Sequence, residues 1–350
     1  MKKTGLTLLK IVFSVGILVY IFTRVVHVQD LWANLREASI SYLVAAVALY
    51  FVVQTISAYR WYLLLKPLDI ETSFLRILGL YYLGMYFNFF LPSAIGGDVV
   101  KVYYLHKETG RLSASTASVF LDRDIGMGGL LLAGTAVAAY GGTRIPPENG
   151  VLLAPVFGLI GIAFVAANLA LFYRPTYNLL HRLLSLFRMK RADEKVERLY
   201  DSFNAYRGKW SLVISTLVLS LVIQAGCAFV NMLTADAIGL HTQHGWIDYM
   251  VFIPAIGLTG MIPLSVNGAG WREASYILLF QSVGAKPHEA ATLSLLWLGI
   301  IIITSLPGGI IYIARGGRKK SEAGYEMDVE KRSVVSAINP AREEEPLSTI

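Results

Sequence analysis

Apolar residues fall into long blocks separated by short polar stretches. The first block runs from Gly5 to Thr23, and the second from Ser41 to Leu65, bordered by the basic and aromatic "YRWYLLLK". Between them lies a polar stretch that includes Trp32, a residue suited to a membrane interface. A third block, Thr72 to Leu105, is interrupted by "NFFLPSAIGGDVVKVYYL". Further blocks cover Leu112 to Tyr140, Val151 to Tyr173, Trp210 to Leu233, Trp246 to Ile262 and Ala290 to Ile313, with the apolar "ASYILLF" before the last. The loop "GGTRIPPENG" closes one of them, because its glycines and prolines do not extend a helix. A span needs about 20 apolar residues to cross a hydrocarbon layer of about 30 Å. The pattern therefore predicts an all-α polytopic membrane domain over residues 1–316.

Two regions break the pattern. In the polar insert Arg174 to Lys209, Leu179, Leu180, Leu183, Leu184 and Phe187 recur at helical spacing among Arg182, Arg188, Lys190 and Arg191. It reads as an amphipathic helix on the membrane surface or as a plain cytosolic connector. The tail, 317–350, is polar with almost no aromatics and is expected to be disordered and cytoplasmic. The start of the chain has the basic and apolar character of a signal peptide. No small-residue cleavage site follows, and an uncleaved first span fits better.

Composition sharpens the class. The 350 residues are 55% hydrophobic and only 16% charged, which excludes an ordinary globular enzyme. The net charge of +7 sits in loops beside apolar blocks, where it sets orientation, so nucleic acid is not an expected partner. Cys227 is the single cysteine, and there is no CxxC or HExxH. No cofactor or metal site is expected.

Loop charges then suggest a topology. With the N-terminus in the cytoplasm, Arg60, Lys66, Arg76, Lys107, Arg111, the basic insert and Arg315, Arg318, Lys319 and Lys320 fall inside. Only Arg24, Arg36, Arg144 and Lys286 fall outside. This works only if the blocks at Thr72 to Leu105 and Trp246 to Phe280 enter and return on the same side. The prediction is about six full spans plus two re-entrant hairpins entering from opposite faces, with both termini in the cytoplasm and the inner membrane as location.

The tips of these two blocks echo each other. Pro92, Gly97 and Lys101 have the same spacing as Pro263, Gly268 and Arg272, with a carboxylate (Asp98, Glu273) and a tyrosine (Tyr104, Tyr276) nearby. This suggests inverted repeats. Irregular backbone at membrane depth is tolerated only where protein or a water-filled cavity surrounds it. The prolines favour a break, and Gly96, Gly97, Gly268 and Gly270 permit tight turns. A helix restarting after them directs free N–H groups at an anion such as a phosphate, and Lys101 and Arg272 add full charges. Asn88 and Asn267 flank the tips. A structural alternative is that the glycines serve helix packing and the charges lock one another.

"SVFLDRDIGMGG" places Asp122, Arg123 and Asp124 in the block from Leu112. Arg123 either reaches a mid-membrane cavity, to bind phosphate or pair with Asp98 or Glu273, or marks a boundary with the span starting at Ile125. Asn88, Gln54, Gln224 and Asn231 read as interhelical hydrogen-bond partners more readily than as ligands, and Asn88 and Asn267 are kept as candidate substrate-binding residues beside the tips. His181, His241, His244 and His288 read as solvated.

The stretches "LPSAIGGDVVKVYYL", "VFLDRDIGMGGLLL" and "IPLSVNGAGWREASYIL" resemble the lysylphosphatidylglycerol synthase transmembrane-region family, the flippase-like membrane proteins, over about Gly5 to Gly317. In bifunctional members a soluble aminoacyl-transferring domain follows the membrane part. Here only a short polar tail follows, so the resemblance implies lipid translocation and not aminoacyl transfer. The expected partner is a phospholipid or other phosphate-bearing lipid. Translocation of polyprenyl-phosphate-linked sugars, a membrane-embedded transferase using Asp98, Asp122 and Asp124, and a scaffold for an envelope enzyme remain open, as does a homodimer.

Overall fold

A computed structural model describes residues 16–26, 28–89, 96–141, 153–172, 175, 200–261 and 268–338. Pro92, Pro263, Asn267 and most of the insert lie outside this set. The described residues are helical, with no strand among them. After a π-helical turn at Ile21–Val25 come α1 (Val28–Glu37), α2 (Ile40–Leu65), α3 (Phe74–Phe87), α4 (Gly96–Thr109), α5 (Leu112–Gly141), α6 (Leu153–Phe172), α7 (Trp210–Ala237), α8 (Trp246–Met261), α9 (Trp271–Gln281) and α10 (Pro287–Ile338). Among the described residues, three stretches are long and apolar enough to cross a membrane: Ile40–Leu68, Trp210–Ala237 and Pro287–Ala314. α5 has 30 residues and is long enough, but it carries the charged "LDRD" within one continuous helix that begins at Leu112.

The apolar blocks become helices because their residues are uninterrupted by breakers and stay apolar over many turns. Their ends follow local chemistry. α2 ends at Lys66–Pro67, and Ser73 caps α3 by accepting from the Arg76 N–H. α10 continues to Ile338, into the stretch for which composition alone predicts disorder. That segment is rich in Lys, Glu, Arg and Ala, strong helix formers that can extend a helix already nucleated by an apolar span.

α2 and α7 lie side by side and antiparallel. The Ser39 N–H at the start of α2 donates to the Ala237 carbonyl at the end of α7 (2.7 Å). Farther along, Val53 packs over Gly226, and Arg60 bonds Ser220. Each helix is followed by a short helical hairpin. In the first, Arg76 at the start of α3 pairs with Glu108 at the end of α4 (3.0 Å). In the second, Thr259 of α8 meets Ser275 of α9 (3.1 Å), and Tyr249 packs on Phe280 at 5.4 Å. The arms of the first hairpin have 14 residues each, about 21 Å at helical rise and too short to cross alone. Because α2 and α7 run in opposite senses, the two hairpins start from opposite ends of the pair.

The packing partners exchange one for one between the halves. α2 packs on α3 as α7 does on α8, and α4 on α5 as α9 on α10. α3 packs on α10 as α8 does on α5, and α7 on α5 as α2 on α10. Both hairpins thus lean on the same two long helices, α5 and α10. The core forms where these elements meet, around Trp61, Leu64, Ile77, Leu80, Leu83 and Leu105 for the first hairpin and Tyr249, Phe252, Tyr276, Phe280 and Leu293 for the second.

The end of the insert docks onto this core. Tyr206 is buried, and its hydroxyl donates to the Leu64 carbonyl (2.5 Å). Burial pushes its phenol well above the ordinary range, so it remains a donor at neutral pH. Tyr206→Phe is expected to lower stability by about 1 kcal/mol, read as a lower thermal midpoint of the detergent-solubilised protein.

Candidate functional site

The first charged cluster forms where α4 begins. Gly96 and Gly97 open the helix and are buried. The side-chain oxygen of Asn88, at the end of α3, accepts from the Gly97 N–H (2.7 Å) and ties the two arms at their tip. A Cβ on Gly97 would lie 2.1 Å from the Gly84 carbonyl oxygen, so only glycine permits this approach. Asp98 follows in the first turn, where the helix dipole favours an anion.

Two cations close on Asp98. Lys101 Nζ, one turn along α4, lies 3.2 Å from Oδ1, and Arg123 Nε, from α5, lies 2.8 Å from Oδ2. Lys101 is buried, with its ammonium 4.5 Å from the Tyr81 ring centre and 5.4 Å from that of Trp61. These rings replace part of its lost hydration. The Arg123 side chain is 43% exposed, against 9% for Lys101 and 13% for Asp98. The cluster is therefore reached from the Arg123 side. Of the partners expected for Arg123, the structure gives Asp98.

Successive residues on a helix point about 100° apart, and the three charges of "LDRD" accordingly turn to three different partners. Asp122 Oδ1 accepts from Arg60 Nε (2.9 Å), and its carbonyl from Arg60 Nη2 (3.0 Å). Asp124 accepts from Asn168 of α6 (3.2 Å). Arg60 also donates to Ser220 Oγ (2.8 Å) and lies over Gly126, so one guanidinium joins α2, α5 and α7. This corrects one reading. Arg60 is not a cytoplasmic loop charge; it is 6% exposed inside the bundle.

The second cluster has different internal logic. Gly268 and Gly270 hold φ of 76° and 80°, a region that side chains disfavour. The Gly270 N–H donates to Glu273 Oε2 (2.7 Å), and Arg272 Nη2 donates to Oε1 of the same carboxylate. Glu273 is 2% exposed and serves as a cap for its own helix. Asp98 is held by two cations, whereas Glu273 is shared between one backbone N–H and one cation. Tyr276 donates to Asn231 of α7 (2.6 Å), and Tyr104 packs edge-on against Tyr103 at 5.3 Å.

The structure thus gathers Asn88, Gly96, Gly97, Asp98, Lys101 and Arg123 into one group and Gly268, Gly270, Arg272 and Glu273 into another. Sequence reasoning missed Arg60, Trp61 and Tyr81. The signal was present for Arg60, a guanidinium within an apolar block, but its partner lies 62 positions away.

The comparisons with known proteins bear on this architecture. The family model for the lysylphosphatidylglycerol synthase TM region matches residues 7–308, which include both hairpins and both clusters. The chain belongs to this family. It is an integral membrane protein. Among its relatives, a UPF0104 membrane protein of Methanocaldococcus jannaschii is 23% identical over 334 residues, 89% of this chain and 94% of the relative. A UPF0104 membrane protein of Pyrococcus horikoshii is 29% identical over 117 residues, covering 31% of this chain and 35% of the relative. No solved structure matches.

Proposed function

We propose that this member of the lysylphosphatidylglycerol synthase TM-region family is a lipid translocase that passes a phosphate-bearing head group through a polar site within the membrane. The observation that carries the reading is the pair of cations, Lys101 and Arg123, converging at the start of α4 inside a hairpin too short to span. Charge at membrane depth costs at least about 2.5–3.5 kcal/mol per residue on insertion scales, and sites that retain it generally handle a polar or ionic substrate. Broken helices in corresponding positions of two halves are the usual place for a transporter's substrate.

In this reading the two hairpins are re-entrant and dip from opposite faces, and α2, α5, α6, α7, α10 and the first apolar block cross fully. The protein sits in the inner membrane with both termini in the cytoplasm. The phosphate binds Lys101 and Arg123, Arg272 offers the corresponding cation of the second half, and the acyl chains stay in hydrocarbon. Movement is downhill or ion-coupled.

The test is reconstitution of the full chain into liposomes carrying a labelled anionic phospholipid, with leaflet exchange followed by quenching from outside. Lys101→Ala and Arg272→Ala are expected to slow exchange at least tenfold while eluting as folded protein. Wild-type exchange in both variants would overturn the assignment. A covalently altered lipid formed with a soluble donor would favour a membrane-embedded transferase instead.

A further inference from the structure

Four carboxylates lie at the hairpin tips or on α5 beside them, and three of them have a cationic partner. Asp98 meets Lys101 and Arg123, Asp122 meets Arg60, and Glu273 meets Arg272. Asp124 is the exception. It is partly buried, about 18 Å along α5 from Leu112. Its hydrogen-bond partner among the described residues is the neutral Asn168 amide of α6 (3.2 Å).

Among the described residues no cation from a helix packed on α5 pairs with Asp124. α6 carries no ionisable side chain. From α2, Arg60 turns to Asp122, and from α4, Lys101 turns to Asp98. The other titratable groups of these two helices are tyrosines, with His106, Lys107 and Glu108 at the far end of α4. α7 brings Cys227 and Asp236, and α8 brings Asp248 and Tyr249, none of them a cation. On α5 itself, Arg123 turns to Asp98.

Resting on the translocase reading, we infer that Asp124 is the proton-binding residue of the transport cycle and that lipid movement is coupled to a proton gradient. The pairing pattern gives the reason. A proton placed on Asp98, Asp122 or Glu273 would leave a cation without its carboxylate, whereas a proton on Asp124 strands none. Asp124 takes the proton from water on one side and returns it to water on the other, so only an O–H bond forms and breaks. Ionised Asp124 accepts a charge-assisted bond from Asn168, and protonation reduces it to an ordinary one. α6 is an outer helix, with Leu159 and Ile162 70% and 71% exposed. The proton therefore sets how firmly α6 is tied to α5, the helix that carries Arg123.

The experiment uses the full chain in liposomes of a neutral lipid with a trace of labelled anionic phospholipid. Potassium and valinomycin hold the membrane potential at zero, and a gradient of one pH unit is imposed. The reading is the leaflet ratio of the probe at steady state, from quenching outside. At one proton per lipid, wild type is expected to shift this ratio about tenfold. Asp124→Asn, neutral at every pH, should leave the ratio at its no-gradient value, and Asp124→Glu should restore the shift. A second measurement needs no variant. Dicyclohexylcarbodiimide, which modifies protonated carboxyls in an apolar setting, should label Asp124 of the wild type, with less label as pH rises. An Asp124→Asn variant that keeps the shift, or a wild type whose Asp124 stays unlabelled, overturns the inference. So does a wild type that exchanges lipid with no shift, and that outcome leaves translocation standing. Failure of the wild type to move the probe above protein-free liposomes overturns the translocase reading and this inference with it.

Discussion

Asp122→Ala is expected to destabilise the protein by about 3–5 kcal/mol, more than any other single charge removal. The substitution leaves the Arg60 guanidinium at 6% exposure between α2, α5 and α7 with no carboxylate. Its remaining side-chain partner is the Ser220 hydroxyl at 2.8 Å, a neutral acceptor. The attraction within a buried pair offsets the desolvation of both members, and truncating one removes the attraction while the other stays desolvated. Arg60→Met combined with Asp122→Leu should recover most of the loss, because apolar side chains of similar volume need no hydration. Thermal midpoints of the three detergent-solubilised variants test this. A double variant no more stable than Asp122→Ala would show that the pair is not the cause. The same double variant in liposomes separates roles: normal folding with lost lipid exchange would place Arg60 and Asp122 in transport as well as in stability.

Gly97→Ala is expected to abolish lipid exchange and to lower stability by several kcal/mol, in the manner of an overpacked core. The added Cβ would lie 2.1 Å from the Gly84 carbonyl oxygen and 2.7 Å from Asn88 Oδ1. Backbone is the obstacle at Gly84, so no side-chain rotation relieves the contact. The arms of the first hairpin must separate, and with them Asn88 loses the Gly97 N–H and Asp98 shifts against Arg123. Gly161→Ala in α6 is the control. Nothing lies within 4 Å of its Cβ, and alanine is the better helix former by about 1 kcal/mol. That variant should keep its activity with an equal or higher midpoint. Equal behaviour of the two variants would refute the close approach of α3 and α4.

Several features were legible in the sequence because local chemistry decides them. The apolar blocks from Ser41, Leu112, Val151, Trp210 and Trp246 match α2, α5, α6, α7 and α8 within a few residues at each end. A long apolar run without breakers has few alternatives to a helix when its backbone groups must be satisfied within the segment. The interruptions were equally visible, since Pro92, Gly97, Pro263 and Gly268 are poor helix-interior residues wherever they occur. The turn of "LDRD" toward different partners follows from helical geometry alone.

What the sequence by itself determined is which stretches are helical, where two of the blocks break, and that cations follow each break at equal spacing. The tertiary structure decided which charges meet. It paired Arg60 with Asp122 and Arg123 with Asp98, shared Glu273 between the Gly270 N–H and Arg272, and set Lys101 against Trp61 and Tyr81. Helix formation depends on neighbours within a few positions, whereas an ion pair between helices depends on the packing of segments far apart in the chain. A buried charge takes whichever partner that packing brings within reach, and no periodicity along the chain encodes the choice.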